Sequence, residues 1–387
     1  MKKKFALILA MAMLVSVLFT ACGGTSSSGG LMDSANTPNT TDANTSSDDL
    51  PTVTWKMGSV WGSGNCHFEA DQMFAETVSF LTGGKFTITN YAEGELCAAN
   101  QLFDYVSEGT IQCGGSWGGY WSGRDTAFEI LGTIMDDFTG MDYYLWYNHH
   151  GGKELFDELY GAYGMKAFAL VINGSESGLR STVPMTNLSD LQSAKIRLGG
   201  VMAGKAAQKL GINITSVPAA ELYESLQRGV VDAGEFSGPW ADDSLKLTEV
   251  AKYWILPGWY QSSGLNDVII NIDAWNALPA EYQEAIEMAA QYTLGQRLGQ
   301  YHYNDFVYAN QQLADPEIQV MRLDDETMAA IHEATREAYK EECEVNPNFA
   351  KVYNSMMDYK EFSSAYREML EGTDYNYGWG FDYDAAQ

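Results

Sequence analysis

The sequence predicts an α/β fold made of two lobes joined by a hinge, with one long helix extending along both lobes. Stretches in which every second residue is apolar alternate with stretches in which apolar residues recur every three to four positions. This order favours strands covered by helices, with parallel strand pairing. About 335 residues follow Pro51, more than one hydrophobic core usually accommodates. An uninterrupted helical pattern at 279–313 supplies the long helix.

The individual elements follow from the same two periods. Val53, Trp55 and Met57 alternate with polar residues and predict the first strand, and two glycines at 83–84 end the first helix. Strands are predicted at 53–57, 86–88, 166–172, 194–198, 212–217, 267–271 and 318–323, and helices at 70–81, 102–106, 203–210, 221–228 and 279–313.

We expect the two lobes to exchange chain segments. Lobe I is assigned to residues 52–172 together with about 263–310, and lobe II to residues 173–262 together with about 311–370. Residues 371–387 form a tail. Two α/β lobes joined by crossing strands are a common frame for closing around a small ligand.

The N-terminus has the order of a secretory signal. Three lysines precede an apolar run that extends to Phe19, and small residues then lead to Cys22. The run is shorter than the roughly 20 residues of a membrane span. Residues 1–22 therefore resemble a bacterial lipoprotein signal with lipid on Cys22, and a plain signal peptide is the alternative. Residues 23–51 are polar and glycine-rich, so we expect a flexible tether to the membrane.

The net charge limits the possible partners. The chain has 23 basic and 51 acidic residues, and its formal net charge is −28. Nucleic acid and anionic lipid are poor partners for such a surface. A small anionic ligand would depend on a local basic group inside a pocket.

The residues that could support catalysis or a metal site form no complete motif. Residues 114–118 match the G-x-S-x-G nucleophile elbow, but the late histidines that a triad needs, His302 and His332, fall inside predicted helices. His149 and His150 are adjacent, and neighbours on a helix point about 100° apart. Four further cysteines lack the spacing of a zinc or thioredoxin motif: Cys66, Cys97, Cys113 and Cys343. They could form disulfides in three alternative pairings or remain free thiols.

Arg197 is the most informative single residue. It stands at the carboxyl end of the predicted strand 194–198, and two glycines follow it. Open α/β sheets bind ligands at this end of their strands. The planar guanidinium can hold a carboxylate with two hydrogen bonds. A surface salt bridge is the alternative.

Several separated motifs occur together in an order that resembles one family. A lysine-aliphatic-arginine strand precedes an E-x-Y-x-x-L-x-x-G helix and a V-D-A-x-E segment, which runs into E-aromatic-x-G-P. With Y-W-x-G-R and Y-W-x-x-P-G-W segments, they resemble the solute-binding proteins of tripartite ATP-independent periplasmic (TRAP) transporters, in the subgroup similar to 2-oxo acid and lactate binders. The matching segments are 92–109, 120–124, 195–197, 221–229, 231–239 and 253–259.

The resemblance implies a two-lobe fold like that of periplasmic binding proteins, ligand capture without catalysis, and delivery to a membrane permease. It also implies a pocket with a carboxylate ligand and a bound cation, calcium or sodium. The ligand-binding residues would be Arg197, Tyr120, Trp121, Glu235, Phe236 and Trp259. The cation would be held by Glu176, Glu235, Phe236 through its backbone carbonyl, and Gln261.

The chain departs from the subgroup at two cation-binding positions. Glu176 stands where glutamine is usual, and Gln261 where an acidic residue is common. Glu176 and Glu235 would repel each other and an anionic ligand, which leaves three arrangements open: one carboxyl is protonated, one pairs with arginine, or a cation bridges both. The ligand is expected to be a 2-oxo or 2-hydroxy acid. A dicarboxylate, a sugar acid, and a surface lipoprotein enzyme acting on small acids are the alternatives.

Overall fold

The computed structural model describes residues 50–371 apart from 136, 137 and 216, all within the compact unit that begins at Asp49. Cys22 and nearly all of the predicted signal, tether and tail lie outside these residues. The described strands are β1 Val53–Ser59, β2 Phe86–Tyr91, β3 Cys113–Trp117, β4 Thr133–Ile134, β5 Met165–Ile172, β6 Leu179–Ser181, β7 Lys195–Arg197, β8 Asn213–Ile214, β9 Ala233–Gly234, β10 Tyr253–Leu256, β11 Ser263–Asn271 and β12 Gln319–Arg322.

The helices cover both sheets and include one that is much longer than the rest. They are α1 Cys66–Leu81, α2 Leu102–Ser107, α3 Ala127–Gly132, α4 Gly140–His149, α5 Gly152–Gly161, α6 Leu188–Ser193, α7 Val201–Lys209, α8 Leu222–Gln227, α9 Pro239–Ser244, α10 Leu247–Val250, α11 Ile272–Asn276, α12 Ala280–Leu313, α13 Asp325–Val345 and α14 Pro347–Glu371. No helix in the described part of the chain has both the length and the hydropathy of a membrane span.

Lobe I is built on a sheet in the order β2-β1-β3-β11-β4, with β5 also paired to β11. β1 is parallel to β2 and β3, as predicted. β11, however, is antiparallel to both β3 and β5, with Val268 opposite Gly115 and Phe168. The expectation of purely parallel pairing is therefore wrong for β11. All nine residues of β11 are buried, so the strand has no solvent-facing side whose pattern could reveal its direction.

Lobe II is built on a sheet in the order β12-β10-β6-β9-β7-β8. β7 runs parallel to β9, and this register places Arg197 opposite Gly234. The chain crosses from the first sheet to the second between β5 and β6 and returns between β10 and β11. These two crossings bring the segments 173–178 and 257–262 to the boundary between the lobes, and the chain crosses once more along α12 to reach β12.

The long helix α12 matches the predicted segment 279–313 to within one residue at its start. It packs against β5 and α1 of lobe I and against α9, which follows β9 of lobe II. Ala285, Ile286 and Ala289 belong to its buried face, so the helical period that predicted α12 also marks its packing surface. The helix therefore contacts both lobes, as a spine would.

The final helix requires a correction. The sequence predicts that lobe II includes residues up to about 370, but α14 packs against α3 and α5 of lobe I as well as against α13. The Trp146 indole N–H donates to Ser355 Oγ at 3.1 Å, and the Tyr359 hydroxyl donates to Asp142 Oδ1 at 3.1 Å. The chain turns between α13 and α14 at Asn346, which lets α14 return across the boundary and bury its aromatic face on lobe I.

Candidate functional site

A small cavity lies where residues from both lobes meet. Its volume is about 30 Å³. At about 10–15 Å³ for one water, it has room for two or three waters or for a ligand of a few atoms. The predicted site residues that line it are Tyr120, Glu176, Arg197, Glu235, Phe236 and Gln261.

Arg197 ends β7, and the protein holds one side of its guanidinium. Nε donates to the backbone oxygen of Val217 at 3.1 Å, and Nη1 donates to the backbone oxygen and to Oε1 of Glu235, each at 2.6 Å. Arg197 is 6% exposed, so the surface salt bridge considered above is excluded. Within the described residues Nη2 makes no hydrogen bond. A two-nitrogen grip on a ligand would require Glu235 to release Nη1.

Glu235 directly follows β9 and is 1% exposed. Besides the pair with Arg197, its Oε1 accepts the backbone N–H of Gly199. Burial raises the pKa of Glu235, while the Arg197 charge and the Gly199 N–H oppose that rise. Of the three arrangements left open by the sequence, pairing with arginine is the one that the structure has for Glu235.

Glu176 lies on the first crossing between the lobes and is 7% exposed. Its Oε1 accepts from Ser237 Oγ at 3.3 Å, whereas Oε2 has no hydrogen-bond partner among the described residues. Burial, followed by the negative charges of Glu235 and Asp242, raises the pKa of Glu176 well above its usual range. An unpartnered buried carboxylate oxygen is unfavourable, so this group requires either a proton or a cation.

Neutral polar groups surround Glu176. Ser237 Oγ accepts from Asn173 Nδ2 at 3.2 Å and lies 3.1 Å from the hydroxyl of Tyr301. Asn173 Oδ1 has no partner among the described residues. Gln261 is 6% exposed and lines the same cavity. The crossings thus bring amide and carboxylate oxygens together beside Arg197.

Aromatic rings form the wall on the lobe I side. Tyr120 is 37% exposed, and its ring centroid lies 6.0 Å from that of Trp61 and 5.2 Å from that of Trp117. The ring of His67 lies 4.7 Å from Trp61 and 6.0 Å from Phe236 of lobe II. Burial, and after it the Arg297 charge, lowers the pKa of His67 to about 3, so the ring is neutral. The wall is therefore uncharged and faces Arg197.

Two predicted wall residues, Trp121 and Trp259, do not line the cavity. Trp121 is 2% exposed, packs on Phe103 at 5.3 Å and donates to Ser116 Oγ at 3.4 Å. It follows Tyr120 in the 3-10 helix Gly118–Trp121, where successive side chains point about 120° apart, so only one of the two can face the cavity. Trp259 is 5% exposed and packs beside Tyr260 in the core.

Sequence reasoning also missed part of the lining. Ser237 stands in the E-F-S-G-P segment, and Asn173 directly follows the predicted strand 166–172, so both positions carried a signal. His67 and Asn266 come together only through tertiary structure. The missed lining residues include Trp61, His67, Trp117, Asn173, Ser237 and Asn266.

The catalytic alternatives lack the geometry they need. Ser116 is buried in β3 and donates to Asp267 Oδ1, and His302 Nδ1 instead lies 2.8 Å from the backbone oxygen of Leu298. Within the described residues the hydrogen-bond partners of Ser116 Oγ are Asp267 and Trp121, and neither is a histidine. The four cysteines at 66, 97, 113 and 343 are free thiols. In the same part of the chain, no group of three or more His, Cys, Asp or Glu is placed to hold a metal.

Comparison with known proteins decides the family. The family model described as bacterial extracellular solute-binding protein, family 7, matches residues 57–345. This chain belongs to that family. The family expected from the motifs is thereby confirmed, and the Arg197 cavity lies within the matched region of a solute-binding protein.

Individual relatives of this family 7 protein add detail. It is 29% identical over 322 residues to the monocarboxylate 2-oxoacid-binding periplasmic protein of Nostoc sp., covering 83% of this chain and 88% of that protein. A TRAP transporter solute-binding protein from Bordetella bronchiseptica, described with copurified calcium and picolinate, has a TM-score of 0.80 at 28% identity and covers 87% of this chain and 100% of that one. Another from Pseudoalteromonas atlantica, with bound sodium and pyruvate, has a TM-score of 0.78 at 27% identity, covering 84% and 97%. The predicted two-lobe fold is confirmed.

Proposed function

We propose that this family 7 protein captures a small 2-oxo or 2-hydroxy monocarboxylate together with a cation, and delivers the acid to a TRAP-type permease. One observation carries the proposal: among the described residues Arg197 Nη2 makes no hydrogen bond and the buried Glu176 Oε2 has no partner, and both side chains line the same cavity. An anion satisfies the first and a cation the second. The relatives described with pyruvate, picolinate or 2-oxoacids support this choice.

The charge and size of the cavity favour a small monocarboxylate over the two other ligand classes. Arg197 supplies the positive charge of the lining, and Glu176 and Glu235 supply two negative charges. A second ligand carboxylate would meet these glutamates without a basic partner. A sugar acid such as glucuronate has about twice as many non-hydrogen atoms as pyruvate, so a small cavity favours pyruvate.

The oxygen groups around Glu176 fit a hard cation. Glu176, Glu235, Gln261 and the carbonyl of Phe236 offer carboxylate, amide and backbone oxygens, which calcium and sodium accept. Because this set contains only two carboxylates, oxygens of the ligand would complete the coordination. A bound cation would neutralise the glutamates next to an anionic ligand. The extra negative charge of Glu176, where the subgroup has glutamine, favours a divalent ion.

A titration series tests this function. We expect calorimetry to show tighter binding of pyruvate and lactate than of succinate and glucuronate, loss of affinity after exhaustive chelation, and recovery on adding calcium. If the affinity is unchanged by chelation, by sodium and by calcium, then no cation takes part in binding and Glu176 is a protonated acid. The acids should be recovered chemically unchanged, whereas product formation would favour the enzyme alternative.

We also propose that the mature protein is held at the membrane by lipid on Cys22. The signal-like order of residues 1–22 supports this, and the polar tether would hold the binding lobes away from the bilayer. Cys22→Ser should release the protein from isolated membranes, whereas Cys97→Ser, which changes another free thiol, should leave it bound. Membrane retention of the Cys22→Ser variant would favour a different anchor.

A further inference from the structure

We propose that His67 determines which acids are bound: its Nε2–H donates a hydrogen bond to an oxygen on C2 of the ligand. The site would then select 2-oxo and 2-hydroxy acids over 2-amino acids and over acids with no substituent at C2. This inference rests on the proposed function and deepens it, because it names the group recognised besides the carboxylate.

Asn266 fixes which ring nitrogen carries the proton. Its Nδ2 lies 2.9 Å from His67 Nδ1. An amide nitrogen only donates, so Nδ1 must be the unprotonated acceptor, and the proton of the neutral ring is on Nε2. Within the described residues Nε2 has no protein partner, and His67 lines the cavity. A donor is thus left for the ligand.

The surroundings hold this donor in place. The ring stacks on Tyr301 at 5.6 Å with an interplanar angle of 15°, and Trp61 packs on it at 4.7 Å. His67 is 2% exposed, and Asn266 lies within β11, which pairs on both sides. A donor that cannot turn away discriminates strongly, because a ligand without a matching acceptor leaves it buried and unpaired.

The ligand would connect the two lobes through its first two carbons. Arg197 projects from β7 of lobe II, and His67 from α1 of lobe I. A carboxylate at Arg197 Nη2 and a C2 oxygen at His67 Nε2 give each lobe one hydrogen bond to the ligand. An ammonium group on C2 would present N–H to N–H, and a methylene would present no acceptor.

The tautomer can be measured without any ligand. We expect long-range 1H–15N spectra of 15N-histidine-labelled protein to show His67 with unprotonated Nδ1 and protonated Nε2, with the signal assigned by its loss in His67→Gln. A ring protonated at Nδ1, which the opposite orientation of the Asn266 amide would produce, overturns the proposal.

Calorimetry then tests recognition with pyruvate and propionate, which differ by the C2 oxygen. His67→Leu should lose at least about tenfold affinity for pyruvate and change that for propionate less than about threefold, whereas His67→Gln, which keeps a neutral N–H at similar reach, should retain most pyruvate binding. Equal losses for both acids in His67→Leu would show a packing role alone and overturn the proposal. If the unmodified protein binds neither acid, the proposed function fails, and the His67 spectrum still decides the donor assignment.

Discussion

Arg197 carries the ligand-binding hypothesis at the scale of single residues. Arg197→Ala removes the guanidinium and leaves Glu235 buried without its cation, so pyruvate binding should weaken by about 2–5 kcal/mol. Arg197→Lys should recover little, because a single ammonium cannot donate to Val217, Glu235 and a ligand in the same geometry. Calorimetry at fixed calcium measures both.

The matched control for Arg197 is Arg180. It is buried in β6, which β9 separates from β7 in the same sheet, and pairs with Asp242 at 2.8 Å, but it does not line the cavity. Arg180→Lys should reduce the free energy of unfolding and leave the affinity for pyruvate nearly unchanged. Near-native affinity in Arg197→Ala would remove that residue from the site.

Glu176 should decide which cation is preferred. Glu176→Gln removes one negative charge and restores the residue usual in the subgroup. The increase in pyruvate affinity caused by calcium should therefore become about tenfold smaller, and sodium alone should support pyruvate binding. Pyruvate titrations in calcium and in sodium, each after chelation, measure the preference. Glu93→Gln changes a partly buried glutamate that does not line the cavity and should leave the preference unaltered. An unchanged preference in Glu176→Gln would mean that this carboxyl is protonated.

The sequence indicated Arg197 because a strand end and a planar cation have local signatures. It did not separate Tyr120 from Trp121, since one 3-10 turn directs the two rings about 120° apart. It also gave no sign of His67, whose tautomer depends on Asn266 nearly two hundred positions away. Residues with roles set by a distant partner are the ones that sequence reasoning missed.

At the scale of elements, the periodicity of apolar residues predicted which helices and strands exist better than it predicted how the strands pair. The long helix α12 was predicted to within one residue, because its repeat persists over many turns. The predicted strand 212–217 is only Asn213–Ile214, at the edge of the second sheet. The direction of β11 was missed, since a strand buried on both faces shows no alternation.

Two further elements are expected to act as a latch between the lobes. Glu129 of α3 in lobe I accepts the backbone N–H of Val201 at 2.7 Å and that of Met202 at 2.8 Å, at the start of α7 in lobe II. A carboxylate is favourable at a helix N-terminus, and Glu129 is ionised above its raised pKa of about 7, so the latch should be strongest there. Gly200 adopts φ 88°, and a Cβ there would lie 2.6 Å from Glu129 Oε1, so glycine permits the close approach.

Glu129→Gln should weaken this latch. An amide offers one acceptor oxygen and turns its NH₂ toward the second backbone N–H, so the closed form should lose about 1 kcal/mol, or about fivefold in apparent pyruvate affinity. Small-angle scattering should show a more open average shape. Glu224→Gln, on the exposed surface of α8, is the matched control. Equal affinity and scattering for the Glu129 variant and the control would exclude the latch.

At the scale of the whole molecule, buried carboxyls give the stability an unusual dependence on pH. Burial is the main cause of the shift in each, and it raises the pKa to about 8 for Asp71, about 7 for Glu129 and Asp305, and about 6 for Asp267. The same groups in the unfolded chain have a pKa near 4. Between about pH 4 and pH 8 the folded state therefore binds more protons than the unfolded state.

The sign of the effect follows from proton linkage. The free energy of unfolding falls with rising pH wherever the folded state holds the additional protons, so it should decrease by at least about 2 kcal/mol from about pH 5 to pH 8. The net charge of −28 acts in the same direction, since self-repulsion grows as carboxyls ionise. Asp142 is different. Burial raises its pKa, but hydrogen bonds from Arg367 and Thr139 outweigh burial and lower the pKa below the usual value, so protonation of Asp142 destabilises the fold only at more acidic pH.

Urea unfolding at several pH values, with chelator and without added acid, measures this dependence. Asp71 has the highest pKa of the four and accepts from Ser59 Oγ at 2.7 Å. Asp71→Asn keeps a polar side chain of similar size without a titrating group, so it should flatten the profile between about pH 6 and pH 8 and leave the lower part unchanged. Asp157→Asn, at a surface carboxylate paired with Lys166, should leave the whole profile unaltered. A free energy of unfolding that stays constant or rises from pH 5 to pH 8 in the unmodified protein would mean that these carboxyls are ionised inside the fold.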